Sequence, residues 1–164
     1  MKKIIVIGCP GSGKSTFSRK LHKITGIPLY HLDMMYWNED KTTVEREVFI
    51  HKLSKTLEMN EWIIDGNYKS TMELRMKACD TVIFLDYPLE VCLNGIMERM
   101  GKPRSDIPWV ENEFDDTEFI ETIKNYNLNN KPEVIELLNK YSYKKIYIFK
   151  SRIEADNFLS RLNG

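Results

Sequence analysis

Gly8-Cys9-Pro10-Gly11-Ser12-Gly13-Lys14-Ser15-Thr16 follows the β-branched run Ile4-Ile5-Val6-Ile7 and precedes the helix-like Phe17-Ser18-Arg19-Lys20-Leu21. The order reads as strand, phosphate loop, helix. In the spacing G-x-x-x-x-G-K-[ST], the glycines let successive backbone N–H groups turn inward around phosphate oxygens, while the next helix points its positive end at the same anion. Gly8, Pro10, Gly11, Ser12, Gly13 and Thr16 are therefore expected to build the cradle. Lys14 is expected to reach β- and γ-phosphates, and Ser15 to ligate Mg²⁺.

Working outward, 164 residues suit one domain with a real core. Twenty-four basic and 24 acidic residues cancel, so no global positive field recruits nucleic acid or an anionic membrane. No apolar run approaches the ~20 residues of a membrane helix, and Met1-Lys2-Lys3 leads straight into a strand, which predicts a cytoplasmic protein without a membrane partner. Cys9, Cys79 and Cys92 lack metal-ligand spacing and read as reduced thiols. Cys9 fits the loop as a small residue, although a helix dipole there could also lower a thiol pKa.

Ile27-Pro28-Leu29-Tyr30-His31-Leu32 reads as a second strand that delivers Asp33 at its end. Ligands of an open parallel sheet bind beyond the carboxyl ends of the strands, so topology puts Asp33 near the site. Met34-Met35-Tyr36-Trp37 reads mainly as packing. Thr42 and Glu45 form a capping-box pattern for a helix to about Met59, with Phe49, Ile50, Leu53 and Leu57 inward and Arg46 continuing that stripe. A guanidinium on an apolar face needs a partner, which could be Asp33, an acceptor's phosphate or carboxylate, or water, and this makes Arg46 a candidate acceptor-binding residue. Glu61-Trp62-Ile63-Ile64-Asp65 is a third strand ending in an acid. Beside a phosphate loop, Asp65 can hold Mg²⁺ through water or orient Ser15.

Ser70 and Glu73 start a short helix carrying Arg75, and Thr81-Val82-Ile83-Phe84-Leu85-Asp86 suits a central parallel strand. Pro88 opens a helix with Cys92, Gly95 and Ile96 inward, leading to Arg99. From about 100 to 116 the pattern turns basic and turn-rich around Lys102 and Arg104, which reads as a lid. Phe119, Ile120, Ile123 and Tyr126 predict a helix that Asn129-Asn130 breaks before another. Asn130-Lys131-Pro132-Glu133 imitates a guanine-reading motif but joins two helices, so it is rejected. Lys144–Phe149 is the fifth strand, and Ser151 with Glu154 caps the last helix. Five strands alternating with helices predict a three-layer α/β domain with a parallel sheet.

These segments resemble the adenylate-kinase-like and shikimate-kinase-like P-loop kinases, especially the small adenylate-kinase-related DNA topology modulation (FlaR-type) group. The likeness rests on the phosphate loop, His31-Leu32-Asp33, Trp62–Tyr68, Leu74-Arg75 and Asp80–Pro88, and it spans nearly the whole chain. It implies a P-loop NTPase fold of α/β/α layers with sheet order 2-3-1-4-5, a small helical acceptor region at about 33–60, and the short lid. It also implies ATP over Arg152, Asp65-Gly66 as the aspartate-glycine pair serving magnesium, and Arg99 as the lid-entry arginine. The chain departs from adenylate kinases where Lys69 replaces the arginine that grips a monophosphate and where Gly95 stands at another arginine position.

The expected activity is ATP- and Mg²⁺-dependent phosphorylation of a small molecule that is nucleotide-, nucleoside- or shikimate-like. Lys14, Arg99 and Arg104 are the expected charge stabilisers, and Asp33 orients or deprotonates the acceptor hydroxyl. Arg46, Tyr68 and Arg75 would hold the acceptor. A monomer or weak homodimer is expected. The alternative is a nucleotide-binding regulator or DNA-topology effector without metabolite kinase activity; balanced charge and the lack of a helix-turn-helix oppose it.

Overall fold

The computed structural model describes residues 1–109 and 116–164. Residues 110–115, within the expected lid, lie outside the described residues.

The described strands are β1 (Lys3–Gly8), β2 (Leu29–His31), β3 (Trp62–Asp65), β4 (Thr81–Leu85) and β5 (Lys145–Phe149). They form one sheet of order β2-β3-β1-β4-β5, parallel throughout, as the sequence predicts. β3 and β4 are buried along their whole length and β1 from Ile4 onward. Strands covered on both faces need continuous apolar residues, which is why they read as unbroken runs. β1 pairs with β3 on one side and β4 on the other, so the chain reverses its direction of winding there. A crevice opens at the carboxyl ends of strands at such a reversal. In register, Asp65 stands opposite Val6 and His31, which brings the ends of β1, β2 and β3 to one rim.

The helices flanking the sheet are α1 (Lys14–Thr25), α2 (Leu32–Tyr36), α3 (Arg46–Leu57), α4 (Lys69–Ala78), α5 (Leu89–Arg99), α6 (Asp116–Asn125), α7 (Lys131–Lys140) and α8 (Arg152–Leu162). Phe17 of α1, Phe149 of β5 and Phe158 of α8 meet with ring centroids 5.2–6.5 Å apart, tying the first helix to the last. Among the described residues, no helix is long and apolar enough to cross a membrane. All three cysteines are free and buried.

Several local signals were overridden. α3 begins at Arg46 instead of Thr42, because Asp40 Oδ1 accepts from both the backbone N–H (3.0 Å) and the hydroxyl (2.5 Å) of Thr42. Ser70 and Glu73 form no capping box: Glu73 Oε1 instead accepts from Lys140 Nζ (2.5 Å) and the Tyr141 hydroxyl (2.9 Å). Ser151 does cap α8, its hydroxyl accepting from Glu154 N–H at 3.3 Å. Asn129-Asn130 breaks nothing, because a π-helical turn over Tyr126–Asn130 carries α6 directly into α7. That wider turn keeps Ile123, Tyr126, Val134 and Leu138 all buried. The apolar stretch at Met34–Trp37 contributes α2, a short helix that lifts Asp33 off the end of β2.

Candidate active site

A cleft of about 1030 Å³ opens above the carboxyl ends of the strands, and Pro10, Gly11, Gly13, Lys14, Ser15 and Thr16 are part of its lining. Gly13 takes φ 88° and serves as the N-cap of α1, so the loop turns directly into the helix. Gly8 and Ser12 are buried and do not line the cleft. Gly8 is clamped from below by Asn67, whose Nδ2 donates to the Gly8 carbonyl (2.6 Å) and whose Oδ1 accepts from its N–H (3.2 Å). Ser12 spends its N–H on the Cys9 carbonyl at 3.0 Å. Both shape the loop from beneath.

Lys14 Nζ arches back over the loop and donates to the carbonyls of Gly8 (2.9 Å) and Cys9 (3.2 Å). Burial pushes its pKa down against the pull of nearby Asp65 and Asp33. The two carboxylates lie close enough to act on Lys14 although they follow different strands. Cys9 is a packed thiol. Contact with Cys92 and then burial push its pKa up, while the same contact draws the Cys92 thiol down.

The same cleft is lined by Asp33, Asp65, Tyr68, Arg99, Arg104 and Arg152. Asp65 is buried at the end of β3 with Oδ2 2.7 Å from His31 Nδ1. Since a carboxylate only accepts, the imidazole nitrogen carries the proton. Burial disfavours charge on His31, but the hydrogen bond and charge of Asp65 outweigh it and raise the His31 pKa. Asp33 accepts from the Tyr68 hydroxyl at 2.5 Å. Burial pushes its pKa up, while that hydrogen bond and Lys14 oppose the shift.

Ser15 Oγ donates to Asp106 Oδ2 at 2.7 Å. Asp106 is itself held by Arg104, whose Nε and Nη2 donate to its two oxygens at 3.0 and 2.6 Å. Burial would raise the Asp106 pKa, but the Arg104 and Ser15 hydrogen bonds and the guanidinium charge hold it well below the usual carboxylate range. Ser105 and Asp106 thus rest on the first turns of α1, Arg19 Nη1 donating to Ser105 Oγ at 3.0 Å.

Two expected acceptor residues are elsewhere. Arg46 is exposed in the first turn of α3 and does not line the cleft, because α3 starts there and its buried stripe begins one turn later at Phe49. Arg75 is fully buried, donating to the carbonyls of Gly66 (2.9 Å), Asn67 (2.6 Å) and Tyr68 (3.1 Å). Burial lowers its pKa to about 9. It pins the turn that presents Asn67 and Tyr68 and touches no cleft surface. Lys69 also leaves the cleft, pairing with Glu133 of α7 at 2.6 Å.

Gly95 has a steric reason. A Cβ there would lie 1.9 Å from the Gly11 carbonyl oxygen, so α5 meets the phosphate loop backbone to backbone. Asn67, Asp106 and the cleft-lining Trp37 and Trp109 were not singled out as site residues. Asn67 and Asp106 act on partners 59 and 91 residues away, which no local pattern encodes.

No family model matches the sequence. A shikimate kinase of Clostridium botulinum is 34% identical over 143 residues, covering 74% of this chain and 77% of that protein. An adenylate kinase of Thermotoga maritima is 28% identical over 109 residues, 62% of this chain and 49% of its own length. The chain thus spans about half the length of the adenylate kinases it matches. Shikimate kinase from Acinetobacter baumannii, solved in complex with shikimate, superposes over 99% of this chain and 90% of its own with a TM-score of 0.62 at 16% identity. That likeness concerns the fold.

Proposed function

Because the chain belongs to the family of adenylate- and shikimate-kinase-like P-loop kinases, we propose that it transfers the γ-phosphoryl group of ATP, with Mg²⁺, to a hydroxyl of a small molecule. The observation that supports this reading is that Lys14 and the loop line one cleft together with Asp33, Arg99, Arg104 and Arg152. Phosphoryl transfer asks a protein mainly to position groups and neutralise charge, and this set does both.

In this reading the loop amides and Lys14 hold the β- and γ-phosphates, and Arg152 lies against the nucleotide. Arg99 and Arg104 meet the charge that develops on the transferred group. One such arginine is worth about 10³ to 10⁵ in rate in related systems. Ser15 Oγ and the Asp65 carboxylate offer only oxygen donors at the head of α1 and the end of β3, a set that suits a hard cation. Ser15 and Asp65 would hold Mg²⁺, which would supply positive charge to offset that of the triphosphate. Asp33, its pKa already raised by burial, accepts the proton of the acceptor hydroxyl, and Tyr68 fixes that carboxylate. As the hydroxyl oxygen bonds to the γ-phosphorus, the bond to the β,γ-bridging oxygen breaks and its electron pair leaves on ADP.

We further infer one domain with the acceptor region at about 33–60 and a lid at about 100–116 that Asp106 anchors to Ser15. Kinship with the FlaR-type group within the family is our inference from His31-Leu32-Asp33 and Trp62–Tyr68. The experiment is ADP formation with Mg²⁺ and a panel of hydroxylated acceptors. Lys14→Ala abolishes it, and undiminished turnover by that variant refutes the loop assignment. Asp33→Asn retains ATP binding and stops acceptor phosphorylation.

A further inference from the structure

The cations expected to grip an anionic acceptor do not face the cleft. Arg46 is exposed outside it, Arg75 is buried under the 66–68 turn, and Lys69 is paired with Glu133. At the Asp33 end the cleft presents rings instead. Trp37 and Trp109 meet edge to face, with centroids 5.4 Å apart and planes at 82°. Tyr36 backs this wall, edge-on to Trp37 at 5.2 Å and to Tyr68 at 4.9 Å. Trp37, Tyr68 and Trp109 line the cleft while only half-buried, so ring surface remains bare inside it.

Their polar neighbours suit a hydroxyl better than an anion. Asp33 gives Oδ1 to Tyr68, and among the described residues its Oδ2 accepts no hydrogen bond. Asp65 and Asp106 add negative charge at Asp33, and Lys14, the cation that offsets them there, is the group the ATP phosphates engage in the kinase reading. Arg104 is bonded to Asp106, and Arg19 to Ser105 and Thr16, so these guanidiniums are turned toward the loop and lid. A carboxylate or phosphate brought to Asp33 would meet like charge, whereas a planar ring gains stacking on aromatic faces.

Resting on the kinase reading above, we propose that the acceptor is an uncharged planar heteroaromatic compound carrying a primary hydroxyl, of the nucleoside class, with its ring against Trp37, Trp109 and Tyr68 and its hydroxyl on Asp33. The hydroxyl oxygen forms the new bond to the γ-phosphorus of ATP, its proton goes to Asp33 Oδ2, and ADP leaves with the bridging oxygen and its electron pair. The products are a nucleoside-type monophosphate and ADP. Arg99 and Lys102 also line the cleft and serve the ATP phosphates in this reading, so a shikimate-like acid or a nucleotide already phosphorylated would compete with the triphosphate for them and find, among the described residues, no further cation at the ring wall.

The test uses the full chain with Mg²⁺ and a non-hydrolysable ATP analogue, titrated with adenosine, guanosine, cytidine, uridine and thymidine, with their 5′-monophosphates, and with shikimate. Binding is followed by tryptophan fluorescence and calorimetry, and label transfer from γ-labelled ATP is run in parallel. At least one nucleoside is expected to bind about tenfold or more tighter than its monophosphate and shikimate, and to accept the label. Trp37→Leu and Trp109→Leu are each expected to weaken that nucleoside about tenfold, the scale of one lost ring stack, with a far smaller loss for the ATP analogue. Trp37→Phe, which keeps a ring and fills the space, loses less than Trp37→Leu. Preferred binding and phosphorylation of a monophosphate or of shikimate overturns the inference and leaves the kinase reading standing. So does the failure of every nucleoside to bind the analogue-loaded protein. Failure of the ATP analogue itself to bind overturns the kinase reading, and this inference with it.

Discussion

Gly95→Ala tests whether the phosphate loop owes its shape to α5. The added methyl would lie 1.9 Å from the carbonyl oxygen of Gly11, about 1.5 Å short of ordinary contact. Neither side can yield cheaply. The obstacle is backbone, and Gly11 sits at φ 81° with its own Cβ direction blocked by the Cys92 carbonyl, 2.0 Å from where that atom would be. Overpacking in a filled interior costs about 1–3 kcal/mol, and a clash between two backbones belongs at the upper end. For a chain of this length about 3 kcal/mol corresponds to a fall in Tm of roughly 6–12 °C. Relief by moving the loop would also spoil the aim of its amides, so nucleotide affinity should fall about tenfold or more. Differential scanning calorimetry and titration with a non-hydrolysable ATP analogue measure both. Asn94→Ala, at the exposed neighbouring position, should change stability by less than about 0.5 kcal/mol. A Gly95→Ala protein with wild-type Tm and wild-type nucleotide affinity refutes the backbone contact.

Replacing Arg75 with Leu leaves the carbonyls of Gly66, Asn67 and Tyr68 without their buried donor and should cost about 2–5 kcal/mol, seen as a lower urea midpoint at unchanged m. Tyr68→Phe removes a hydrogen bond that holds the Asp33 pKa down against burial. The acid limb of kcat/KM should therefore move to higher pH, and an unmoved limb would deny Asp33 the role of base. Asp86 accepts from Lys131 at 2.8 Å and from Lys150; burial would raise its pKa, but the two lysines outweigh that and depress it. Its contribution is present above the ordinary carboxylate pKa and lost as pH falls through the depressed folded value. Asp86→Asn should therefore be less stable than wild type at neutral pH, with the two stability curves converging as pH falls below the ordinary carboxylate range in chemical denaturation.

Much of this fold was legible because its signals are local. Ile4–Ile7 and Val82–Leu85 are covered on both faces, so their apolar character is continuous, and the loop between Gly8 and Lys14 carries its spacing within one turn of chain. Ser151 capped α8 as read, its hydroxyl accepting the N–H of Glu154 three residues on, while the Glu154 carboxylate accepts from the Lys150 N–H. Thr42 and Ser70 offered the same pattern and failed for identifiable reasons: Asp40 took the first donor, and Lys140 with Tyr141 took the partner of the second. The arginines were harder still. That Arg46 and Arg75 need solvent or an acceptor follows from their chemistry, but which one each obtains depends on where the chain lies in space. Arg75 found three carbonyls in a turn seven to nine residues back, and Arg46 found water at a helix start. Two cations expected at the acceptor were thereby withdrawn from the cleft. Trp37 and Trp109, 72 positions apart, came together there instead, and a close ring pair at that separation follows from closure of the fold over the sheet, which no helical or strand period in the chain announces.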